Sequence, residues 1–517
     1  MERIKRDRNR ILAFLRSPQT RACLLATAIF GTLSYLYLFV NNINNNDMIV
    51  CLPEGYGTGL SSGRWGLYLL GEVTRRVWGV YNVPVFNGVI ALLLLAFASA
   101  VLVRVLELKY RGLCFALAAI TAVFAPIGSL MFFGFTAHYY ALAILLMAVS
   151  AYLLKERRWT AFLGGTLLAA CSLGIYQAYF PFLASVLLLT LLGSCLRRET
   201  TAKAVFLDAL RMLAALILSY LLYALILKIF LAWRHVTLSD YQGIDQMGQL
   251  RDLPKLLVDT YRRFFLLPFR NLGGVNATRL VRVAMAVLFL CSVAALPLFR
   301  RERRVGKILL ACLFLLLLPL AANAILLLSG GSAIYTRMCF GLIAVFYLPL
   351  LIAQRLPFRK PAWEKAAVIA VCLIVLLSAA NYVWQNNGNY QAAYYANRKT
   401  ENYFSAMFTR IRSLDGYRSD MDIVLVGDRI TDEKFYDNYY GTPFRYSAFI
   451  GAPEQINEYS RMSFLANYYG ISVRRANAEE LAQNADALAA LTAYPDDGCM
   501  AILGDTVFVV LESLPAE

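Results

Sequence analysis

Acidic charge is what this chain has least of: 33 of its 517 residues are Asp or Glu, against 50 Lys and Arg. Charged residues of all kinds make up 16% of the sequence, whereas soluble domains carry about a quarter, so a soluble globular class is excluded. Histidine is nearly absent too, with only His138 and His235, far apart, and no C-x-x-C spacing occurs, so no zinc cluster is supported. No internal repeat is evident, which leaves solenoids and propellers without a signal. Of the ten cysteines, eight sit in or beside apolar runs as small hydrophobes; Cys51 and Cys499 fall in segments read as extracytoplasmic, and a disulfide between them stays open.

What the chain does have is apolar length. Hydrophobic residues reach 59% and mean hydropathy is +0.56, the profile of a polytopic membrane protein. Charge is divided unevenly: residues 385–517 hold 18 acidic and 11 basic side chains, and the preceding 384 residues hold 15 and 39. Nucleic acid is a poor partner for that basic charge, which falls in short clusters between apolar runs, where the positive-inside rule puts it. A basic stretch, 1–21, precedes the first run, 22–40; a cleaved signal peptide is the competing reading, but the run is long for one and lacks a small-x-small cleavage site.

The clusters Arg104/Lys109/Arg111, Lys155/Arg157/Arg158, Arg197/Arg198/Lys203, Arg300 to Lys307 and Arg355 to Lys365 mark cytoplasmic turns. Between them the chain must go out and return, which predicts about eleven transmembrane helices: 22–40, 83–103, 113–132, 136–154, 160–176, 179–195, 206–231, 280–298, 308–328, 338–354 and 366–384. The expected fold is mainly α. The N-terminus is cytoplasmic, the transmembrane domain covers 22–384 with outer loops 41–82 and 232–279, and an extracytoplasmic α/β domain occupies 385–517. Within the outer loops, Gly66 to Val80 and Pro254 to Phe269 carry charges at helical spacing and read as interfacial helices. In the tail, Asp422 to Gly427 reads as a buried strand, Ala478 to Leu491 as a helix capped by Asn477, and Met500 to Leu511 as a hairpin turning at Gly504-Asp505.

Enzymes acting on lipid-borne sugars in a membrane need a carboxylate to take a proton and cations to meet a phosphate. Asp47, in the Asn-rich start of loop 41–82, and Arg64, beside Trp65, fit those roles; an Asn-rich turn that ends a helix and an interfacial anchor are the plain alternatives. Arg337, at the start of an apolar span, either snorkels or meets a lipid phosphate. Glu54 is the second-choice base, and Tyr56, Trp65, His138, Tyr176, Gln177, Asp240 and Tyr241 are candidates for sugar or acceptor contact. No cofactor is implied, and nothing in the sequence supports a divalent cation.

Four stretches then form a set: the first outer loop with its carboxylate, Ser62-Gly63-Arg64-Trp65 after Tyr56-Gly57, Gly174-Ile175-Tyr176-Gln177-Ala178-Tyr179, and Asp240-Tyr241-Gln242-Gly243-Ile244-Asp245. Together they resemble the serotype-converting O-antigen glucosyltransferases, multi-span bacterial enzymes of the type C glycosyltransferase class, over roughly residues 20–350. The resemblance implies transfer of glucose from a polyprenyl-phosphate donor to a cell-surface glycan at the outer face of the bacterial inner membrane. Members often carry an acidic pair in the first loop, whereas Asp47 here stands between Asn46 and Met48. The resulting expectation is an inverting transferase with Asp47 as general base and Arg64 and Arg337 on the donor phosphate. A lipid-linked oligosaccharide transporter would need charges along the middle of several spans, but the acidic residues, Asp208 included, fall in loops or at span ends. A glycan polymerase or ligase would share the outer-face site.

Overall fold

In a computed structural model of the chain, the described residues are 9, 12–51, 59–79, 83–239, 253–266, 269, 278–296, 305–328, 334–356, 361–427, 444 and 458–512. Four of the candidate residues, Glu54, Tyr56, Asp240 and Tyr241, lie outside them. The chain divides into two compact units: Met1–Val40, Thr58–Gly79 and Val83–Asn387 form one, and Asn41–Gly57, Val80–Asn82 and Gly388–Glu517 the other. The outer loop expected at 41–82 is therefore shared between the units.

The first unit is a bundle of apolar helices. Seven of the described helices are long and apolar enough to cross a membrane, among them Pro18–Val40, Pro84–Val105, Gly134–Lys155 and Ala202–Arg234. A helix of 22 residues is about 33 Å long, enough for a hydrocarbon core of about 30 Å. An eighth crossing is made if the pair Arg111–Val123 and Ala125–Met131, bent by 48°, counts as one. Phe124 takes an extended conformation there, and Pro126 sits in the first turn of the second helix, where its missing N–H costs nothing. The spans expected at 160–176, 280–298 and 338–354 correspond to shorter helices, Trp159–Ile175, Arg279–Ala295 and Phe340–Ala353. Seventeen residues give only about 26 Å. Helix contacts are made by small residues and hydroxyls rather than by apolar surface alone, which lipid satisfies equally well. Ser172 donates to the Ala143 carbonyl at 2.8 Å, Ser150 to Gly165 at 2.8 Å, and the Thr121 and Tyr347 hydroxyls meet at 2.7 Å.

One carboxylate gathers four of the basic clusters at a single end of this bundle. Glu107 follows helix Pro84–Val105 at φ 57. It accepts from Lys155 at 2.6 Å, from Arg197, and from Arg355 at 3.0 Å, while Lys307 donates to the Arg197 carbonyl. Burial alone would raise the Glu107 carboxyl, but the Lys155 hydrogen bond and the charges of Lys155, Arg197 and Arg355 outweigh it and hold its pKa below the usual range.

The second unit carries a four-stranded sheet of order β2-β1-β4-β3, with β1 (Asp422–Val426) parallel to β2 (Val473–Arg475) and to β4 (Thr506–Val510), and β3 (Met500–Leu503) antiparallel to β4. The β3–β4 turn passes through Gly504 at φ 65. Alternation along β1 and β4 sorts the core to two faces. Ile423, Leu425, Val507 and Val509 pack with Phe404, Met407 and Phe408, whereas Val424, Val426, Phe508 and Val510 pack with Leu488. A single helix, Pro361–Arg412, covers the span expected at 366–384 and continues past residue 385, where the tail domain was expected to begin. The helix expected at Ala478 to Leu491 is two short ones, Ala478–Gln483 and Ala485–Ala489, with Asn477 and Glu480 closing a reciprocal cap on the first. Cys499 is a buried free thiol, so it forms no disulfide with Cys51.

Candidate functional site

Two of the four stretches singled out in the sequence meet in the first unit, and a glycine makes the meeting possible. A 3₁₀ turn, Leu60–Ser62, ends at Gly63 with φ 74. A Cβ at that position would lie 2.7 Å from Gln177 Nε2 and 2.9 Å from the Tyr223 hydroxyl, so both the backbone and the space demand glycine. The freed carbonyls are then bonded in full. Gln177 Nε2 donates to the Ser62 carbonyl at 3.0 Å and to the Tyr223 hydroxyl at 2.9 Å, and Tyr223 donates to the Gly63 carbonyl at 3.0 Å. The following helix, Trp65–Trp78, crosses the end of Trp159–Ile175 at a small-residue contact. Trp65 lies flat on Gly174, whose added Cβ would fall 2.4 Å from the indole, and stacks on Phe230 with centroids 6.0 Å apart.

Held between these segments, Arg64 points into an aromatic wall. Its Nη1 donates to the Tyr140 hydroxyl at 3.2 Å, and its guanidinium stands 5.2 Å from the centroid of the Tyr176 ring, which stacks on Tyr140 at 4.6 Å. Arg337, on the 3₁₀ turn Thr336–Met338, comes to the same wall from elsewhere in the chain, 4.4 Å from the Phe133 ring and 4.7 Å from Tyr335. Tyr176 packs edge-on to Tyr179 at 5.2 Å and Tyr179 edge-on to Phe340 at 6.0 Å, three residues on from Arg337, so both arginines border one run of aromatic rings. Arg337 has no carboxylate partner among the described residues, and its Nη1 is buried without a hydrogen bond. The Tyr179 hydroxyl is likewise buried without a partner among the described residues. Two guanidiniums on an aromatic floor, Arg337 with a donor unpartnered among the described residues, are suited to an anion bearing several oxygens, a phosphate above all.

The other candidates fall as follows. Trp65 and Gln177 are scaffold to the Arg64 turn by the contacts just given. His138 lies against its neighbour Tyr139 with centroids 3.9 Å apart and rings tilted by 43°, and its buried Nδ1 has no partner among the described residues. Asp47 belongs to the second unit, in the first turn of helix Asn46–Cys51, so it begins a helix where the Asn-rich turn had suggested an ending. That helix is anchored by Ile49, 1% exposed in the core with Phe404 and Phe464, by Asn467 donating to the Ile49 carbonyl at 3.3 Å, and by Asn44 donating to the Tyr468 hydroxyl. Burial pushes the Tyr468 phenol up to about 12. Half-buried Asp47 keeps its carboxylate without a hydrogen-bond partner among the described residues.

Sequence reasoning overlooked Tyr223 and Lys228. Both sit in helix Ala202–Arg234, read only as a span, and the signal was a row of polar residues on one face of an apolar helix. Among the described residues no group of three or more His, Cys, Asp or Glu is placed to hold a metal ion.

A family model described as Glucosyl transferase GtrII matches residues 36–353 of the chain. Comparison with curated proteins and with solved structures gave no match.

Proposed function

Because this chain belongs to the glucosyl transferase GtrII family and is a multi-helix membrane glycosyltransferase, we propose that it moves a single glucose from a polyprenyl-phosphate donor to a cell-surface glycan. The observation that supports this most directly is that Arg64, on Tyr176, and Arg337, on Phe133 and Tyr335, border one run of aromatic rings. In the proposed inverting step an acceptor hydroxyl oxygen attacks the anomeric carbon from the face opposite the phosphate. A new C–O bond forms, the anomeric C–O bond to phosphate breaks, and its electron pair leaves on the polyprenyl phosphate. Asp47 takes the hydroxyl proton; Arg64 and Arg337 stabilise the charge growing on the departing phosphate. Tyr176, Gln177 and Trp65 set the arginine side of the site, with His138, Glu54, Tyr56, Asp240 and Tyr241 proposed for sugar or acceptor contact.

The proposed topology has eleven crossings, the N-terminus in the cytoplasm, and the second unit outside the bacterial inner membrane. Gathering of Lys155, Arg197 and Arg355 around one carboxylate, with Lys307 on the Arg197 carbonyl, supports a common side for those turns. The test is incubation of purified protein with a panel of polyprenyl-phosphate sugars and a glycan acceptor. Wild type should turn over the glucose donor, with inversion, and Asp47→Asn should lose transfer while expression and detergent extraction are unchanged. Turnover by Asp47→Asn at the wild-type rate would overturn the base assignment, and absence of turnover for every donor would overturn the reaction.

A further inference from the structure

Helix Ala202–Arg234 carries a lysine in the middle of its last apolar stretch, Leu225 to Trp233. At about 1.5 Å per residue, Lys228 stands about 9 Å short of the helix end at Arg234. Lys228 lies three residues inside the end of the span read at 206–231, with an exposed side chain, a depth at which a lysine reaches the level of lipid phosphates. Lys228 has no carboxylate and no hydrogen-bond partner among the described residues, which sets it apart from Lys155, Arg197 and Lys307 at the Glu107 cluster.

Position along the helix shows what Lys228 faces. Tyr220, Tyr223, Ala224, Leu227, Lys228 and Leu231 recur at the three- and four-residue spacing of one helix face, and all six line a cavity of about 280 Å3. Ser62, Gly63 and Gln177 close it at the Arg64 turn. Leu173, Phe180 and Leu328 continue its apolar wall. His235, at φ 52, turns the chain out of the helix, and Ser239 N then donates to the Ser61 carbonyl at 2.9 Å, bringing Leu238 over the same cavity. The cavity thus joins a leucine-rich wall to a lone cation, and it shares Ser62–Gly63 and Gln177 with the turn that carries Arg64.

We infer that this cavity holds the start of the donor's isoprenoid chain, with Lys228 paired to its phosphate as a binding residue beyond Arg64 and Arg337. The inference rests on the donor reading above and deepens it: the lipid enters along the face of helix Ala202–Arg234. An apolar chain carrying a phosphate, a diester in the sugar donor and a monoester in the released polyprenyl phosphate, matches the wall and the cation together, which neither a free sugar nor a free phosphate does.

The test is direct binding to the full-length protein in detergent, with polyprenyl monophosphate, the matching polyprenol and inorganic phosphate as probes; it needs no turnover, so it stands apart from failure of the transferase reading. Lys228→Leu should weaken polyprenyl monophosphate about tenfold and leave polyprenol unchanged, while Lys228→Arg retains binding. Ala224→Phe, which fills the cavity from the same helix face, should weaken both lipids alike without shifting the elution or melting of the protein. Equal monophosphate binding by wild type and Lys228→Leu would overturn the assignment of the lysine. Unchanged lipid binding by Ala224→Phe, or inorganic phosphate binding as tightly as the lipid, would overturn the assignment of the cavity.

Discussion

Replacing Arg337 by leucine separates holding a phosphate from holding the fold. In the resting protein the guanidinium contributes two contacts with aromatic faces, at 4.4 and 4.7 Å, each about 0.5–1 kcal/mol, against the cost of a buried N–H left without an acceptor, about 1–3 kcal/mol. These terms nearly cancel, so Arg337→Leu should melt and elute close to wild type. In the transition state the same group meets a phosphate acquiring charge, and a charge-assisted hydrogen bond is worth about 1.5–3 kcal/mol. At about 1.4 kcal/mol per factor of ten, kcat should fall roughly 10- to 150-fold. Arg337→Lys keeps the charge but loses the planar fork, and should fall between. With Arg64 proposed for the same phosphate, the double variant Arg64→Leu/Arg337→Leu should lose less than the product of the single losses. The assay is transfer of labelled glucose from the lipid donor, with release of polyprenyl phosphate followed in parallel. Arg337→Leu with kcat within twofold of wild type and an intact fold would refute the phosphate role and leave Arg337 as a packing cation.

Two further predictions concern the scaffold. Gly63→Ala places a Cβ within 2.9 Å of Gln177 and Tyr223 at φ 74, and should cost about 1 kcal/mol in backbone strain plus disturbed hydrogen bonds, read as a lower melting temperature and weaker donor turnover; wild-type melting would show the turn to be softer than its geometry. Glu107→Gln removes the carboxylate shared by Lys155, Arg197 and Arg355. A depressed folded pKa means that Glu107 contributes stability above its unfolded pKa, about 4.3, which is lost as pH falls through the folded value. The variant should therefore melt below wild type at pH 7, and the gap should close as the pH drops below about 4; a gap independent of pH would contradict the ionic account.

Helices were legible wherever local chemistry sufficed. Apolar runs of about 20 residues gave Pro18–Val40 and Pro84–Val105 because length and hydropathy alone decide whether a segment can cross lipid. Asn477 ahead of Glu480 gave a cap, and Gly504-Asp505 between apolar runs gave a hairpin, since both are set within a few residues. The stretch read as a span at 160–176 is the helix Trp159–Ile175, its bounds met within one residue, at a length of about 26 Å that is short of a hydrocarbon core of about 30 Å.

The site divides along the same line. The sequence by itself determined that the protein is a helical membrane body, that Arg64 and Tyr176 lie in its unusual turns, and that a carboxylate stands at Asp47. Only the tertiary structure decided that Arg64 and Arg337, hundreds of residues apart, share one aromatic wall, that Lys228 faces the cavity beside Ser62–Gly63, and that Ile49 anchors the Asp47 helix in the core of the second unit. The physical reason is that hydropathy reports the solvent a segment prefers, whereas these meetings depend on which helix faces pack together. That choice is made by small residues and single hydrogen bonds at Gly63, Gly174 and Tyr223, which leave hardly any trace in an apolar run.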